Sequence, residues 1–150
     1  MLFQRKKTLK SVANGKIIPL SDVNDEVFST NMMGVGYAVT DHDGKIYSPV
    51  DGKIESIFPT LHAITIKSNK NVTILVHMGL DTVDLKGAPF ELFVKAGDTV
   101  NENQLMAQMN LPMLTEKNKD SAVMVVLPEV QKGSVNANDS GSIEDIAFKF

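Results

Sequence analysis

Two histidines of this chain lie in apolar segments that favour β-strands, and they are the residues best suited to chemistry. His77 follows the apolar run 74–76, and His62 directly precedes Ala63 and Ile64; the whole chain has three histidines. If the two segments pair as a hairpin, the two imidazoles meet. Two adjacent neutral imidazoles suit three tasks, which are holding a phosphoryl group, binding a metal ion and acid–base catalysis.

The spacing of these two histidines predicts that they face each other. If residues 61–67 and 72–77 form antiparallel strands with a turn at Asn69 and Lys70, His62 lies directly opposite His77. Directly opposed residues have Cβ atoms about 4.5–5.5 Å apart. A four-residue loop over residues 68–71 gives the same pairing, whereas a shift of the turn by one residue breaks it. The predicted contact therefore depends on the register of the hairpin.

Short β-type segments separated by turn residues supply the scaffold for this pair. The candidate strands are residues 16–18, 36–40, 45–48, 52–58, 61–67, 72–78, 90–94, 105–109 and 122–127. Two Asp-Gly pairs, at 43–44 and 51–52, are favoured hairpin turns, and residues 112–117 could form one helical turn. Regularly spaced short strands are typical of sandwiches and barrels. We therefore predict an all-β fold, a compact antiparallel β-sandwich or barrel-like structure with short helical turns.

Length, charge and composition exclude several classes of function. A chain of 150 residues predicts one domain, 1–150, with a short flexible N-terminus over about residues 1–12. The net charge of −3 argues against a nucleic-acid groove, and no apolar run is long enough to span a membrane. The absence of cysteine excludes disulfides, thiolate chemistry and cysteine zinc sites. These features predict a cytoplasmic protein without nucleic-acid binding or stable membrane insertion.

Several chemistries remain open for the histidine pair. A zinc site needs at least three protein ligands, and the closely spaced His-x-His and His-Glu-x-x-His motifs are absent from the sequence. His62 and His77 could still bind zinc if a partner supplied a ligand, so a small metal-dependent hydrolase stays an alternative. A serine or cysteine hydrolase is disfavoured because Cys and a Gly-x-Ser-x-Gly motif are absent from the sequence. A phosphoryl carrier needs one nucleophilic nitrogen and one hydrogen-bond donor, and the pair supplies both.

The third histidine, His42, lies in the segment Asp-His-Asp-Gly at 41–44. Acidic residues flank it, and the Asp-Gly pair favours a turn. We therefore predict that His42 is exposed to solvent and has no chemical role.

Several motifs around the pair resemble one bacterial protein family. They are Ser-Pro-Val-Asp-Gly-Lys-Ile at 48–54, Pro-Thr-Leu-His-Ala at 59–63 and Leu-Val-His-Met-Gly-Leu-Asp-Thr-Val at 75–83. Residues 19–28, 33–39 and 94–100 extend the similarity, which covers roughly residues 13–135. The chain thus resembles the glucose-type enzyme IIA of the bacterial phosphoenolpyruvate-dependent sugar phosphotransferase system.

This resemblance implies a compact antiparallel β-sandwich and a phosphocarrier function in sugar uptake. In this family the histidine that corresponds to His77 accepts a phosphoryl group from the histidine phosphocarrier protein HPr and passes it to a cysteine of the IIB component. The histidine that corresponds to His62 supports the phosphoryl group, and Thr60 belongs to its hydrogen-bonding surroundings. No cofactor is implied. The alternative is a regulatory module that binds partners, such as transporters or kinases, without obligatory phosphotransfer.

The resemblance also implies a partner-binding rim around the two histidines. Its apolar candidates are Phe28, Val35, Met78 and Val83, and its acidic candidates are Asp25 and Asp81. Acids at the rim would attract a basic partner and raise its association rate. One position departs from the family pattern, since Met-Gly-Val-Gly at 33–36 replaces the usual Met-Gly-Asp-Gly. We expect Val35 to change partner preference but not the chemistry, because neither histidine is altered.

Overall fold

The structure, a computed structural model, describes residues 7–150. Short strands dominate this part of the chain. The strands are β1 (Thr8–Lys10), β2 (Gly15–Pro19), β3 (Val35–Thr40), β4 (Lys45–Tyr47), β5 (Gly52–Ile57), β6 (Ala63–Ser68), β7 (Thr73–Met78), β8 (Phe90–Leu92), β9 (Thr99–Val100), β10 (Leu105–Met109), β11 (Val123–Leu127), β12 (Ser134–Val135), β13 (Asn138–Gly141) and β14 (Ile146–Lys149). The helices are α1 (Glu26–Ser29), α2 (Leu111–Glu116) and two 3-10 helices, Leu20–Asp22 and Thr82–Leu85. The predicted all-β fold with short helical turns is confirmed.

The strands form one large sheet and two small ones. The large sheet has the order β13-β2-β3-β11-β7-β6-β5-β9, and the small sheets are β1-β14-β12 and β4-β10-β8. The strand pairs are antiparallel, as predicted. Within the described residues the large sheet ends at β13 and β9, so it is an open sheet and not a closed barrel.

Apolar side chains cover both faces of the central strands. On β7, Ile74, Val76 and Met78 belong to the main core, whereas Leu75 belongs to a second cluster on the opposite face. Successive side chains of a strand point to opposite faces, so His77 shares the face of Leu75. The second cluster also contains Leu20 and Phe28, which the 3-10 helix Leu20–Asp22 and α1 place over the large sheet. This second face holds the histidine pair.

The hairpin that carries the two histidines has a register one residue away from the predicted one. β6 pairs with β7 so that Ala63, not His62, lies opposite His77. The connection is a three-residue loop closed by a 2.9 Å hydrogen bond from Ser68 N–H to Val72 O, with Asn71 in the left-handed region at φ 65°. Asparagine tolerates this conformation, and such a residue commonly ends a three-residue hairpin loop. The prediction of direct opposition was therefore wrong.

Residues 8–12, which are predicted to belong to a flexible N-terminus, form a strand and part of the protein interior. β1 pairs with β14 near the end of the chain, with Leu9 opposite Phe148. Leu9 of β1 and Val12 just after it are buried in the main core, and Ser11 between them is also buried. The predicted flexible N-terminus therefore does not extend to residue 12, and its first six residues lie outside the described range.

The helices of the described residues are short. Asn110 caps α2, since its side-chain oxygen accepts a hydrogen bond of 3.1 Å from the backbone N–H of Met113. This agrees with the predicted helical turn at 112–117. Among residues 7–150, no helix is long and apolar enough to cross a membrane.

Candidate functional site

The imidazoles of His62 and His77 are in contact on the second face of the large sheet, at the start of β6 and near the end of β7. Their ring centroids lie 4.9 Å apart with the ring planes at 75°. His77 is half-buried near the end of β7, between Ala63 of β6 and Met124 of β11. His62 is 6% exposed and directly precedes β6. The structure thus brings the two predicted residues together.

The chain reaches this contact through a local change of backbone direction. Leu61 adopts a left-handed conformation with φ 61° just before His62, so the regular alternation of a strand does not fix the direction of the His62 side chain. The carbonyl oxygen of His62 still accepts a 2.7 Å hydrogen bond from the N–H of Met78. Ala63, which lies opposite His77, has only a methyl group. The small side chain leaves space above β6 in which the ring of His62 meets the ring of His77.

A backbone carbonyl sets the tautomer of His77. Nδ1 of His77 lies 2.9 Å from the carbonyl oxygen of Gly79. A carbonyl oxygen can only accept a hydrogen bond, so Nδ1 carries the proton and Nε2 of the neutral ring keeps its lone pair. The loop that provides this carbonyl is itself held in place, because the Thr82 hydroxyl donates a 2.6 Å hydrogen bond to the carbonyl oxygen of Met78. The arrangement presents Nε2 as the nucleophilic nitrogen.

His62 is also held at Nδ1, and aromatic rings support both histidines. Thr60 Oγ1 lies 2.6 Å from Nδ1 of His62. The ring of Phe58 approaches His62 edge-on at a centroid distance of 5.3 Å, and the ring of Phe28 lies 5.0 Å from that of His77. Phe28 is buried in α1, whose first turn is capped by the Asp25 carboxylate through a 2.9 Å hydrogen bond from Val27 N–H.

Burial keeps His77 neutral over a wide range of pH. Desolvation, followed by the nearby His62, lowers the pKa of His77 to about 4, although the hydrogen bond to Gly79 and the Asp25 carboxylate act in the opposite direction. Desolvation also lowers the pKa of His62. A neutral ring is the form that can attack an electrophile, so the nucleophile remains available well below pH 7.

The lowered pKa of His77 predicts a specific acid sensitivity. Between its ordinary pKa of 6.5 and about 4, the unfolded chain binds a proton at this position that the native state does not. The native state therefore loses stability as the pH falls through this window, by roughly 2–3 kcal/mol. Denaturant unfolding at pH 7 and pH 4.5 should show that His77→Gln loses less stability on acidification than the parent chain. Equal losses would contradict the lowered pKa.

Gly79 is the residue whose backbone most directly controls His77. It has φ 81°, and a Cβ at this position would collide with Cγ2 of Thr82 and lie 3.0 Å from the carbonyl oxygen of Asp120. We expect Gly79→Ala to cost about 1–3 kcal/mol of stability and to loosen the hydrogen bond to Nδ1 of His77. Gly97→Ala is the matched control, since Gly97 also has a positive φ, of 96°, but its Cβ would meet nothing within 4 Å. Thermal unfolding of both variants would measure the difference, and equal losses would show that the contact with Thr82 is unimportant.

The predicted rim residues divide into those near His77 and those away from it. Asp25, Phe28, Asp81 and Val83 line a shallow depression that also contains His77. Met78 does not belong to this rim, because it is fully buried in the main core on the opposite face of β7. Because successive side chains of a strand point to opposite faces, the side chain of Met78 points away from that of His77.

Val35 lies beside a second depression rather than beside His77. It is half-buried at the start of β3 and lines this depression with Met32, Pro128 and Val130. Met33 lines both depressions, so an apolar surface continues from His77 towards Val35. Val35 therefore does not line the depression that contains His77, contrary to the prediction.

Exposed apolar side chains that the motifs did not single out surround the site. Val27 is 41%, Met33 37% and Phe58 43% exposed, in addition to Val83 at 47%. Val27 and Met33 line the depression with His77, and Phe58 packs on His62. A cluster of exposed apolar groups indicates an interaction surface. Sequence reasoning missed them because exposed and core apolar residues look alike in a short segment.

The structure also corrects the prediction for His42. This residue is 8% exposed, and its Nε2 lies 2.7 Å from the carbonyl oxygen of Ser121. Its Nδ1 accepts a 3.0 Å hydrogen bond from the N–H of Gly44. Asp41 adopts a left-handed φ of 53°, which turns the chain so that the two flanking aspartates are exposed and the imidazole points inward.

Metal ligands are sparse around the pair. Among residues 7–150 no group of three or more His, Cys, Asp or Glu side chains is arranged to hold a metal ion. A zinc ion at His62 and His77 would therefore need a ligand from elsewhere.

Comparison with known proteins identifies a matching family and similar proteins. Residues 7–133 match the model of the family described as phosphoenolpyruvate-dependent sugar phosphotransferase system, EIIA 1. The chain is similar to the PTS system glucose-specific EIIA component of Staphylococcus aureus, with 32% identity over 141 residues, which are 93% of this chain and 85% of that protein. It is also similar to glucose permease IIA from Mycoplasma capricolum, a solved structure, with a TM-score of 0.86, 30% identity and 99% of each chain covered.

Another relative is a much longer protein. The PTS system glucose-specific EIICBA component of Staphylococcus saprophyticus subsp. saprophyticus is 38% identical over 126 residues, which are 84% of this chain. The matched region is 19% of that protein's length, so the chain corresponds to one part of it.

Proposed function

The chain belongs to the EIIA 1 family of the phosphoenolpyruvate-dependent sugar phosphotransferase system, and we propose that it carries the phosphoryl group on Nε2 of His77. It acts as a phosphocarrier of sugar uptake, accepting the group from phosphorylated HPr and passing it to a cysteine of a IIB component. The work of this carrier takes place in the cytoplasm.

One observation carries this proposal, which is that both imidazoles are held through Nδ1. Gly79 O accepts from His77 Nδ1, and Thr60 Oγ1 lies at hydrogen-bond distance from His62 Nδ1. Each ring can therefore present Nε2 to a third group. With Thr60 donating its hydroxyl proton to Nδ1, Nε2 of His62 bears a hydrogen and becomes a donor. One nucleophilic nitrogen beside one donor is the set that a phosphoryl group needs.

The transfer is a reversible in-line displacement. The lone pair of His77 Nε2 forms a bond to phosphorus as the P–N bond of phosphorylated HPr breaks, and that electron pair returns to the donor's imidazole. His77 then carries positive charge, which the Gly79 carbonyl and Asp25 stabilise, as their effect on its pKa indicates. His62 donates from Nε2 to a phosphoryl oxygen, where negative charge develops. In the second step a IIB thiolate forms the S–P bond, and the electron pair of the broken N–P bond returns to His77.

Partners dock on the exposed apolar groups around this pair. Val27, Met33, Phe58 and Val83 provide contact area, and Asp25 and Asp81 lie in the same depression as His77. Acids at this position attract a basic protein surface and lie beside a group that becomes cationic. The family includes IIA segments fused to further components, as the name EIICBA of one relative indicates, which supports a IIB domain as the acceptor.

Incubation with phosphoenolpyruvate, enzyme I and HPr tests this function. Mass spectrometry should show the mass of one acid-labile phosphoryl group, and peptide mapping should place it in the segment with His77. The label should disappear when a IIB component is added. A regulatory module without transfer would stay unlabelled yet bind HPr, and a metal-dependent hydrolase would contain stoichiometric zinc. Either result would overturn the proposal.

The acidic rim predicts a salt-dependent association. Asp81→Asn should lower the rate of association with phosphorylated HPr about threefold at low ionic strength, and the effect should shrink at high salt because ions screen exposed charges. Asp139→Asn, on edge strand β13, removes the same charge away from the depression and should have little effect. Stopped-flow measurements at two salt concentrations would separate the variants. Asp81 adopts a left-handed conformation with φ 57°, so a loss for Asp81→Asn that does not change with salt would indicate a structural role in this turn.

A further inference from the structure

We propose that His42 is a positioning residue for phosphoryl transfer, because it holds the segment that orients the carbonyl partner of His77. His42 lies on the loop after β3, and its ring nitrogens bond to Ser121 and Gly44 and not to the rings of the site. The expected effect of His42 on the rate of phosphoryl transfer rests on the proposed function, whereas its expected effect on the hydrogen bond of His77 does not.

His42 replaces a hydrogen bond of the sheet at the point where β3 ends. β3 and β11 are antiparallel with Val39 opposite Val123, so a continued ladder would place Asp41 opposite Ser121. Asp41 instead has φ 53°, and the strand turns away. The Nε2–H of the next residue, His42, then donates to the carbonyl oxygen of Ser121 at 2.7 Å. The side chain thus fixes the segment before β11 after the backbone ladder has stopped.

The two neighbours of Ser121 hold the loop on the other side of β11. The carbonyl oxygen of Ala122 accepts a 2.8 Å hydrogen bond from Gly79 N–H, and that of Asp120 accepts a 3.0 Å hydrogen bond from Leu80 N–H. Carbonyls of successive residues in an extended segment point in opposite directions. The segment 120–122 therefore lies between His42 on one side and, on the other, the loop at Gly79 and Leu80, which we call the Gly79 loop.

The Gly79 loop completes the connection to the nucleophile. Gly79 accepts the hydrogen bond from Nδ1–H of His77 at 2.9 Å. A movement of residues 120–122 would shift Gly79 through its N–H, and the shifted carbonyl would release or rotate the imidazole. Because transfer needs Nε2 aligned with phosphorus and the leaving nitrogen, a small rotation lowers the rate without changing how partners bind.

Two substitutions separate the two hydrogen bonds of His42. In His42→Asn the amide oxygen can accept from Gly44 N–H, as Nδ1 does, but the side chain is too short to reach Ser121. In His42→Gln the amide nitrogen lies about as far from Cα as Nε2 does and can donate to Ser121. The hydrogen bond to Ser121 that is missing in His42→Asn should therefore be largely restored in His42→Gln. Thermal unfolding of both variants would establish that both are folded.

The first readout is the Nδ1–H proton of His77 in the unphosphorylated protein, observed by NMR. We expect its exchange with solvent to become roughly tenfold faster in His42→Asn and to stay near the parent value in His42→Gln. The second readout is the rate of phosphoryl uptake from phosphorylated HPr. The rate at saturating donor should fall roughly tenfold in His42→Asn, whereas the half-saturating concentration should not change.

Three results would overturn this inference. They are parent-like exchange and rates in His42→Asn, equal losses in both variants, or a change confined to the half-saturating concentration. If the parent chain takes up no phosphoryl group, the proposed function fails, and the exchange of the His77 proton still decides whether His42 positions this ring.

Discussion

Replacement of His77 by alanine is expected to abolish phosphoryl uptake from phosphorylated HPr. The methyl group of alanine has no lone pair that can form a bond to phosphorus, so uptake should fall by at least about a thousandfold. The neighbouring His62 should not substitute for it, because with Thr60 donating to its Nδ1 the Nε2 of His62 carries the proton and has no free lone pair. Radiolabelled phosphoenolpyruvate with enzyme I and HPr would measure the rate.

The control for this variant is its binding to HPr. His77 is half-buried in a depression lined by other apolar groups, so the docking surface should survive the substitution and the affinity should change little. Loss of uptake with retained binding would place His77 in the chemistry. A variant that is labelled at the rate of the parent chain would show that another residue carries the phosphoryl group.

Replacement of His62 by glutamine should separate the two transfer steps. The amide can still donate one hydrogen bond to a phosphoryl oxygen, so uptake should fall less than about tenfold. Onward transfer brings an anionic thiolate towards the negatively charged phosphoryl group and needs more charge stabilisation. The imidazole of His62, oriented by Thr60, supplies this charge stabilisation and the glutamine amide does not. Transfer to the IIB cysteine should therefore fall about a hundredfold.

Rapid-quench measurements of each half-reaction would test this separation. Thr60→Val is the matched variant, because it removes the hydroxyl beside His62 Nδ1 and retains a β-branched side chain of similar size. It should shift onward transfer in the same direction by a smaller factor. Equal losses in both half-reactions of His62→Gln would show that His62 has a different role, such as support of the hairpin.

The fold class and the histidine contact could be predicted from the sequence, but the route to that contact could not. Regularly spaced β-type segments predict the antiparallel all-β fold correctly. The two Asp-Gly pairs at 43–44 and 51–52 do not form the predicted hairpin turns, because each connects strands of different sheets. The register depended on whether Asn71 would adopt a left-handed conformation, at φ 65°, and composition alone does not determine this. The contact survived the shifted register because Leu61 redirects His62 and Ala63 leaves space opposite His77.

Some features around the site follow from the sequence pattern and others do not. Met78 follows His77 directly, so the alternation of side chains along the predicted strand already places it on the opposite face. His42 lies between two acids, which favours exposure, but a positive φ at Asp41 turns it into the protein. Val27, Met33 and Phe58 are exposed because short helices and loops carry them past the edge of the core. The burial of His42 and the exposure of Val27, Met33 and Phe58 depend on tertiary packing and not on local pattern.

The identity of the phosphorylated nitrogen tests the proposed role of His77 most directly. Heteronuclear NMR of the ¹⁵N-histidine-labelled protein, after incubation with phosphoenolpyruvate, enzyme I and HPr, distinguishes the two nitrogens of each ring. Because Nδ1 of His77 donates to Gly79, we predict a single phosphohistidine at Nε2 of His77, with its Nδ1–H retained. Phosphorylation at Nδ1 of His77, or on His62, would contradict it.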